Sequence, residues 1–443
     1  MGGIADYSGA TVLQLPLALG AVTGAQATTD GMLHAHTSGP GVPAQARDHA
    51  AVTLPTSVLT DGSPALAPER LRAALDRTEA SWAAYLLGPL AVLHAAGLTP
   101  PLRQGDGLRL VLWSDVPPGA GISSSAALEV ASLRAVAALY GVEIDGLRLA
   151  AIAQAAEHRV AGAPCGIMDH ATATLGRAGR LLALRCQDEG EAPATVLGVK
   201  PLPRDVVVFG IDSAVTHRVA GTQYGRVRTA AFMGRASIAA LDPDDPPGGY
   251  LCNIDPARFH ARYEALLPRE MSGAAFLTRH GETGDVAAPV DPAMVYAVRN
   301  CTAHPIYEQA NVENFLRGLD HYAEDGAPAA LRAAGAAMAR SHQSYDLRCG
   351  LGSPETSTIA RLVHEAGPAR GLYGARITGG GAGGTVAILG AGPAAREAVD
   401  EVAAAYTALS GHQARVIAGS GDGALATRVE RVRRDAYGGM RTL

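Results

Sequence analysis

A glycine- and serine-rich turn constrains the fold of this chain more than any other stretch. It is Pro117–Glu129, with the sequence PPGAGISSSAALE. An apolar run, Leu108–Leu112, precedes it and predicts a strand, and apolar residues at helical spacing follow it up to a stop at Gly141. In this layout, backbone N–H groups and the N-terminus of a helix converge on one place, and together they favour the binding of an anion there. The stretch therefore predicts a phosphate-binding loop.

Residue types within the turn support this prediction. Gly119 and Gly121 can take positive φ and let a ligand approach the backbone, and Ser123–Ser125 offer N-cap oxygens, one of which could also reach a metal ion. The alternative is that the serines only cap a buried helix and that Pro-Pro-Gly is an ordinary turn. A P-loop is excluded, because G-x-x-x-x-G-K-[ST] is absent and Lys200 is the only lysine. The spacing does not fit the G-x-G-x-x-G dinucleotide fingerprint either.

Composition limits the classes of protein to consider. A chain of 443 residues suits two or three domains, and 48% apolar with 18% charged residues is enough to build sizeable cores. A net charge of −5 implies no general affinity for nucleic acid. The five cysteines are scattered without a C-x-x-C pair, which argues against a disulfide framework or a zinc site and favours a reducing cytosol.

The chain shows no sign of a membrane or secretory segment. Val12–Ala27 is fairly apolar, but no Lys or Arg occurs before Arg47, whereas a secretory signal needs a positive n-region. No run of 18 uninterrupted apolar residues is present. Gly190–Pro203, with three prolines, is the predicted linker, which divides the chain into domains at residues 1–203 and 204–443, both of mixed helices and strands.

Two further segments carry candidate functional residues. A helix predicted over Asp145–Val160 contains Glu157, and a break after it leads into Ile167-Met168-Asp169-His170. Late in the chain, Gly379–Gly384 holds five glycines in six positions and runs into a β-branched apolar strand. Such a turn predicts a close approach of backbone to another part of the molecule.

Four segments together resemble the GHMP small-molecule kinases: Asp6-Tyr7, the serine motif, Glu157–Asp169 and the late glycine turn. The order matches from Gly2 to about Gly390. The resemblance implies an α/β (α+β) two-domain fold, with a ribosomal S5 domain 2-like N-terminal domain, a ferredoxin-like C-terminal domain and the active site in the cleft.

The sugar-kinase branch of this family fits best. Gly2–Gly9 resembles the galactokinase substrate signature, and Pro164–Asp169 resembles the galactokinase catalytic segment. Met1–Gly9 together with Thr302–Glu308 is similar to the L-arabinokinase branch in particular.

The resemblance implies a role for each matching residue. Asp169 is the expected catalytic residue, which accepts or orients the proton of the attacking sugar hydroxyl. The expected sugar-binding residues are Asp6, Tyr7, Gly166 and Tyr224. The expected ATP-binding residues are Pro118, Gly119, Gly121, Ser123, Ser124, Gly380 and Gly381. The expected Mg²⁺ ligands are Ser125 and Glu157, so ATP and Mg²⁺ are the expected cofactors.

The predicted activity is ATP-dependent phosphorylation of the anomeric hydroxyl of a monosaccharide, in the cytoplasm and without a nucleic-acid or membrane partner. Galactokinases carry a Glu-His pair, which contacts the 6-hydroxyl end of the sugar, where this chain has Gly3 and Ile4. L-Arabinopyranose lacks the CH₂OH arm, and retained polar partners would then stay unpaired at about 1–3 kcal/mol each. This difference favours L-arabinose over galactose.

Two departures from the family pattern leave alternatives open. The family's first strand and its phosphoryl-stabilising arginine precede the position of Gly2, so we expect the true start to lie upstream of Met1. His170 stands where the family commonly has glutamine, and the sequence assigns it no role. The alternatives are a galactokinase or another GHMP kinase for an unusual sugar, and a non-catalytic relative that senses sugar and ATP. The absent arginine supports the sensing relative, whereas the retained Asp169, Glu157 and Ser125 argue against it.

Overall fold

The computed structural model describes residues 1–40, 50–103, 105–163, 165–188, 193–216, 220–243, 249–285, 288–434 and 440–442. Pro164 of the predicted catalytic segment and residues 190–192 of the predicted linker lie outside these ranges. Within them, helices pack against several sheets, as the mixed α/β prediction requires. None of the described helices combines the length and the apolar character that crossing a bilayer demands.

Strands of the N-terminal half form two sheets. These strands are β1 Thr11–Gln14, β2 Ala21–Thr28, β3 Met32–Ser38, β4 Ala51–Pro55, β5 Gly107–Ser114, β6 Arg180–Arg185 and β7 Thr195–Pro201. One sheet has the order β2-β5-β3-β4, in which β3 and β5 run parallel and the other neighbours antiparallel. The other sheet is antiparallel and has the order β1-β6-β7.

The helices of this half pack on the two sheets and on one another. They are α1 Ser57–Thr60, α2 Ala67–Leu75, α3 Ala84–Ala95, α4 Ser124–Tyr140, α5 Gly146–Ala156 and α6 Met168–Leu175. Strand β5 alternates between buried and exposed residues, so Leu108, Leu110 and Leu112 enter the core. They pack with fully buried leucines of the helices, among them Leu90 of α3 and Leu133 of α4. This core fixes the strand and the helix that flank the predicted phosphate loop.

Two predicted features of this half are wrong. Pro68 and the partly helical spacing of the apolar residues after it predict one helix over 68–93. The structure has two helices there, because the Thr78 hydroxyl donates to Leu75 O (2.8 Å) and accepts from Ala80 N (3.1 Å), which ends α2. Part of the predicted linker is strand β7, which pairs with β6. Proline is tolerated there because β7 is an edge strand and Pro201 is its last residue. The division into domains at residue 203 stays a prediction.

The C-terminal half is built around an antiparallel sheet of order β11-β12-β8-β13. The strands of this half are β8 Val206–Thr216, β9 Met271–Ser272, β10 Val295–Tyr296, β11 Leu372–Ile377, β12 Gly383–Ala391, β13 Arg415–Ile417, β14 Val432–Arg434 and β15 Met440–Thr442. Its helices are α7 Ala220–Leu241, α8 Pro256–Arg262, α9 Gly273–His280, α10 Val298–Asp325, α11 Pro328–Leu347, α12 Pro354–Ala366 and α13 Ala395–Ser410.

An apolar cluster joins the two halves. Leu13 of β1 and Leu181 of β6 pack with Phe315 of α10, Leu331 of α11 and Leu389 of β12. A second cluster lies between the C-terminal sheet and helices α12 and α13. The shared core therefore holds the edge of the N-terminal sheet against the C-terminal half.

The N-terminal core gives a stability prediction. Leu90 is fully buried, so Leu90→Ala should lower the free energy of unfolding by about 2–5 kcal/mol through lost burial and a residual cavity. The matched control is Leu409→Ala at the exposed end of α13, where Leu409 is 65% exposed and the expected change is within about 0.5 kcal/mol. Urea denaturation of both variants measures the difference. Equal destabilisation would contradict this assignment of the core.

Candidate active site

The predicted phosphate loop connects β5 to the N-terminus of α4. Gly119 (φ 73°) and Gly121 (φ 69°) adopt the left-handed backbone that the sequence analysis expected of them. Helix α4 begins at Ser124 and ends before Gly141, also left-handed, as predicted. Because the first N–H groups of a helix have no intrahelical acceptor, those of α4 are available at the loop. Pro118 and Gly119 are exposed at its tip.

Ser123 departs from the predicted capping role. It has a left-handed backbone (φ 65°), and its side chain makes no capping hydrogen bond to α4. Instead, the hydroxyl lies beside the carboxylate of Asp169 and opposes the rise in its pKa. The capping prediction for Ser123 is therefore wrong. A non-glycine residue in this conformation is strained by about 1–3 kcal/mol, and such strain clusters at functional sites.

The late glycine turn packs directly on the phosphate loop. Thr378 Oγ1 donates to Gly121 O and Thr385 Oγ1 donates to Ala120 O, each at 2.8 Å. Gly384 (φ 79°) has no room for a side chain, because a Cβ there would lie 2.7 Å from Ala120 O. No local pattern in the sequence singled out the two threonines, although they flank the glycine turn on either side. They tie the C-terminal sheet to the loop.

Gly380 and Gly381, the predicted ATP-binding residues of this turn, have different surroundings. A Cβ at Gly380 would meet no atom within 4 Å, so this residue faces open space. A Cβ at Gly381 would lie 2.6 Å from Leu351 O, so the turn is backed there by the chain after α11.

Glu157 lies on a π-helical turn, Glu157–Ala161, that continues α5. Such turns are rare and are frequent at functional sites. The carboxylate lies beside the side chain of Ser125, accepts from Cys165 Sγ at 3.3 Å and lies 3.2 Å from His170 Nε2. Burial opposes its ionisation, but the hydrogen bonds from His170, Cys165 and Ser125 outweigh burial and lower the pKa of Glu157. The two predicted Mg²⁺ ligands thus lie together, and the carboxylate is ionised.

His170 joins Glu157 to a second buried carboxylate. Its Nε2 lies 2.7 Å from Oε2 of Glu129, and both side chains are fully buried. Burial disfavours the imidazolium, but the hydrogen bonds to Glu129 and Glu157 outweigh it and raise the pKa of His170. Sequence reasoning missed Glu129, since nothing distinguishes it from a solvated helix residue. Its burial at the start of α4 is decided by packing.

Asp169 and Asp6 form a second pair of carboxylates. Asp169, in the first turn of α6, accepts from Gln14 Nε2 at 2.8 Å. Burial raises the pKa of Asp169, although the neighbouring side chains of Ser123 and Gln14 lower it in part. Burial raises the pKa of Asp6 to about 6, and the nearby charge of Asp169 adds to this increase. Gly166 makes room for Asp6, because a Cβ at Gly166 would overlap its carboxylate.

Tyr7 and Tyr224, the remaining predicted sugar-binding residues, pack edge to face with ring centroids 6.0 Å apart. The guanidinium of Arg228 lies 5.5 Å from the Tyr7 ring centroid and forms a bidentate ion pair with Asp285, at 2.7 and 2.9 Å. Tyr7 Oη is buried and has no hydrogen-bond partner within the described part of the chain. An unpaired buried hydroxyl is available to a polar ligand.

The residues around Gly3 leave no room for a side chain at this position. A Cβ at Gly3 would overlap the hydroxyl of Tyr345, and Ile4 is buried with a left-handed backbone (φ 60°). Gly2 N donates to Glu308 at 2.9 Å, and His304 Nε2 lies 3.2 Å from Gly3 O. The two sequence segments Met1–Gly9 and Thr302–Glu308 are therefore in direct contact.

These residues fall into adjoining groups. A cavity of about 1280 Å³ is lined from both halves, by Gly121, Ser123, Asp169, Gly379 and Thr385 among others. Three of the predicted sugar-binding residues do not line this cavity but lie together beside Asp169, namely Asp6, Gly166 and Tyr224. The two predicted Mg²⁺ ligands, Ser125 and Glu157, lie together near His170. A phosphate-binding loop, a fixed carboxylate and a pocket of polar groups are what transfer of a phosphoryl group to a hydroxyl requires.

Comparison with known proteins identifies the family. Residues 85–177 match the GHMP kinases N terminal domain, and residues 327–408 match the GHMP kinases C terminal domain. The chain is 35% identical to an L-arabinokinase of Arabidopsis thaliana over 98% of its own length and 46% of that protein. It is 33% identical to a galactokinase of Chloroflexus aggregans over 75% of the chain and 70% of that protein. The chain thus spans about half the length of the plant relative.

Solved structures agree on the fold. Lactococcus lactis galactokinase, crystallised with galactose, superposes with a TM-score of 0.72 at 18% identity, covering 96% of this chain and 91% of that one. L. major mevalonate kinase superposes with a TM-score of 0.54 at 15% identity, covering 96% of this chain and 93% of that one. The predicted two-domain fold of mixed helices and sheets is confirmed. The chain belongs to the GHMP kinases, and galactokinases are among its relatives.

Proposed function

We propose that this protein is an ATP-dependent sugar kinase that phosphorylates the anomeric hydroxyl of L-arabinose, giving the sugar 1-phosphate. The observation that carries the proposal is the buried Asp6–Asp169 pair beside the loop Pro117–Glu129. Similarity to an L-arabinokinase over 98% of the chain supports this choice of sugar.

Asp169 would act on the sugar hydroxyl. Gln14 and Ser123 hold its carboxylate, so its direction is set before the sugar arrives. A positioned carboxylate orients the attacking hydroxyl and accepts its proton late in the transfer, which as general base catalysis contributes roughly 10²–10⁴-fold. Phosphoryl transfer asks for positioning and charge stabilisation more than for covalent chemistry.

The loop and the glycine turn would bind ATP. The N–H groups at the start of α4 suit phosphate oxygens. The left-handed backbone of Gly119 and Gly121 and the open space at Gly380 would allow close approach of ATP, with Gly381 packed on Leu351 behind the turn. The loop lies in the proposed domain 1–203 and the glycine turn in the proposed domain 204–443. Their contact through Thr378 and Thr385 supports a site in the cleft between these domains.

Ser125 and Glu157 would hold Mg²⁺. The fit rests on their adjacency and on the lowered pKa of Glu157, which keeps an anionic oxygen beside a hydroxyl. Oxygen ligands of this kind suit Mg²⁺, which takes few protein ligands together with nucleotide phosphates. When bound, the ion would neutralise charge on the phosphate oxygens.

The sugar would bind at Asp6, Tyr7, Gly166 and Tyr224. The unpaired Tyr7 hydroxyl and the buried Asp6 carboxylate supply polar contacts, and the fully packed Gly3 supplies none. This pattern favours a sugar without a polar arm at C6. Galactose is the second candidate, because the chain is 33% identical to a galactokinase.

The five cysteines are all free thiols. Free thiols persist in reducing compartments. This supports a cytoplasmic location, which we propose together with the kinase activity.

A panel of free sugars tests the proposed function. The chain is incubated with MgATP and L-arabinose, galactose or other monosaccharides, and ADP release and the phosphorylated product are measured. We expect L-arabinose 1-phosphate as the main product. If ATP and L-arabinose both bind but ADP release stays at the sugar-free rate, the chain is a sensing relative and not a kinase.

Asp169→Asn tests the catalytic role. The amide keeps the shape but cannot accept the proton, so kcat should fall roughly 10²–10⁴-fold while ATP affinity changes less than about threefold. The matched control is Asp76→Asn, at an exposed position after α2, which should leave kcat unchanged. A kcat for Asp169→Asn within about tenfold of the unsubstituted chain would exclude Asp169 as the catalytic base.

Asp6 gives a pH prediction. With a pKa of about 6, Asp6 is protonated at lower pH and accepts fewer hydrogen bonds from sugar hydroxyls. Sugar affinity should therefore rise about tenfold as pH increases from roughly 5 to 7.5, since about a tenth of Asp6 is ionised at the lower value. Calorimetric titration of sugar into the protein measures this. Asp6→Asn should bind weakly without the pH step, and a step that persists in this variant would assign the titration to another group.

A further inference from the structure

We propose that Glu157, Cys165 and His170 form a binding site for a thiophilic divalent metal such as Zn²⁺, and that this metal inhibits the kinase. The inhibitory consequence rests on the proposed function, because Glu157 is a proposed Mg²⁺ ligand. The site itself rests on the side-chain cluster alone. Among the described residues, these three bring one imidazole, one thiol and one carboxylate together, with ligand atoms all within 4.8 Å of one another.

The spacing of the ligand atoms is close to that around a bound zinc ion. Glu157 Oε2 lies 3.2 Å from His170 Nε2 and 3.3 Å from Cys165 Sγ. In a tetrahedral site with metal–ligand distances of about 2.0–2.3 Å, ligand atoms stand about 3.3–3.6 Å apart. Two of the three edges are therefore at or slightly below the lower end of this range, and the edge from Sγ to Nε2 is at most 4.8 Å long.

Glu129 completes the surroundings of the site. Its Oε2 lies 2.7 Å from His170 Nε2 and is the nearest candidate for a fourth ligand. Its Oε1 is fully buried and has no hydrogen-bond partner within the described ranges. A buried carboxylate oxygen without a partner is unusual and needs an explanation. A cation bound through Oε2 would compensate the negative charge that the two oxygens of this carboxylate share.

The chemistry of binding is an exchange of protons for metal. Zn²⁺ replaces the Nε2 proton of His170 and the Sγ proton of Cys165, and both protons leave to solvent. Two protons leave and one doubly charged ion arrives, so the net charge of these three side chains and their ion does not change. Nitrogen and sulfur ligands select zinc over Mg²⁺, which prefers oxygen. The Ser125 side of Glu157 thus suits Mg²⁺, and the His170 side suits the thiophilic metal.

Access is possible through Cys165. It is the one cysteine of the five that is partly exposed, while the other four are buried. It lies in the chain between the π-helical turn and α6, next to Gly166. A metal that enters there engages Glu157 Oε2. It then draws on the charge of the one carboxylate that would also hold Mg²⁺, and two divalent ions on one carboxylate repel each other. We therefore expect Zn²⁺ and Mg²⁺ to compete.

Cobalt(II) is the probe for this site, since a cobalt–thiolate bond gives a near-ultraviolet charge-transfer absorption band that does not depend on turnover. The 443-residue chain, free of ATP and sugar, is titrated with Co²⁺. We expect the band to saturate at one equivalent and to disappear when Zn²⁺ is added. Cys165→Ser should abolish it, and the matched control Cys349→Ser, a buried thiol, should keep it. Thermal unfolding checks that both variants are folded, and Cys165→Ala replaces the serine variant if that one is not.

A second readout links the site to activity. The zinc concentration that halves ADP release should rise at least tenfold in Cys165→Ser relative to the unsubstituted chain, and it should rise with Mg²⁺ concentration. Absence of the cobalt band, or a band that persists in Cys165→Ser, would overturn the metal site whatever the activity. If the cobalt band forms but the protein phosphorylates no sugar, the metal site is supported and the proposed kinase function is refuted.

Discussion

The buried contact of His170 with Glu129 and Glu157 is the interaction on which the arrangement of the site depends. Glu129 lies on α4, whose N-terminus begins at the phosphate loop, and Glu157 follows α5. His170 lies on α6, next to Asp169 in the chain. One imidazole thus fixes three helices that carry the loop, the proposed metal ligand and the proposed catalytic carboxylate. Loss of one partner in such a buried group typically costs about 3–5 kcal/mol, because the remaining charge is left uncompensated.

Around this group, the backbone adopts two conformations that are unfavourable in isolation. Ser123 is left-handed, and Glu157 lies on a π-helical turn. Each is held by a side-chain contact: Ser123 with Asp169, and Glu157 with Ser125 and His170. The surrounding structure must therefore stabilise both. Local strain that is supported in this way lets a site keep its geometry before its ligands arrive.

Several features of the site were predictable from local sequence. Glycines at 119 and 121 required a left-handed turn, and Gly141 stopped α4, because both effects depend on the backbone of a few neighbouring residues. Errors arose where another part of the chain intervened. Strand β7 forms because β6 offers an edge for it, although the three prolines of Gly190–Pro203 indicated a linker. The hydroxyl of Ser123 turns to Asp169, which lies 46 residues further along the chain, and so does not cap α4.

The sequence by itself determined the family of this chain, because it keeps the residue types and the order of the GHMP kinases at Pro117–Glu129, Glu157, Asp169 and Gly379–Gly384. The glycine turns and the start of α4 could also be recognised as a proposed phosphate site, because both depend on residue types and spacing within a short stretch. Tertiary structure alone decided which side chains support these residues. Thr378, Thr385, Glu129 and Gln14 reach the site across more than a hundred residues or from buried helix faces. The physical reason is that burial and long-range hydrogen bonds depend on packing between elements, which no local pattern encodes.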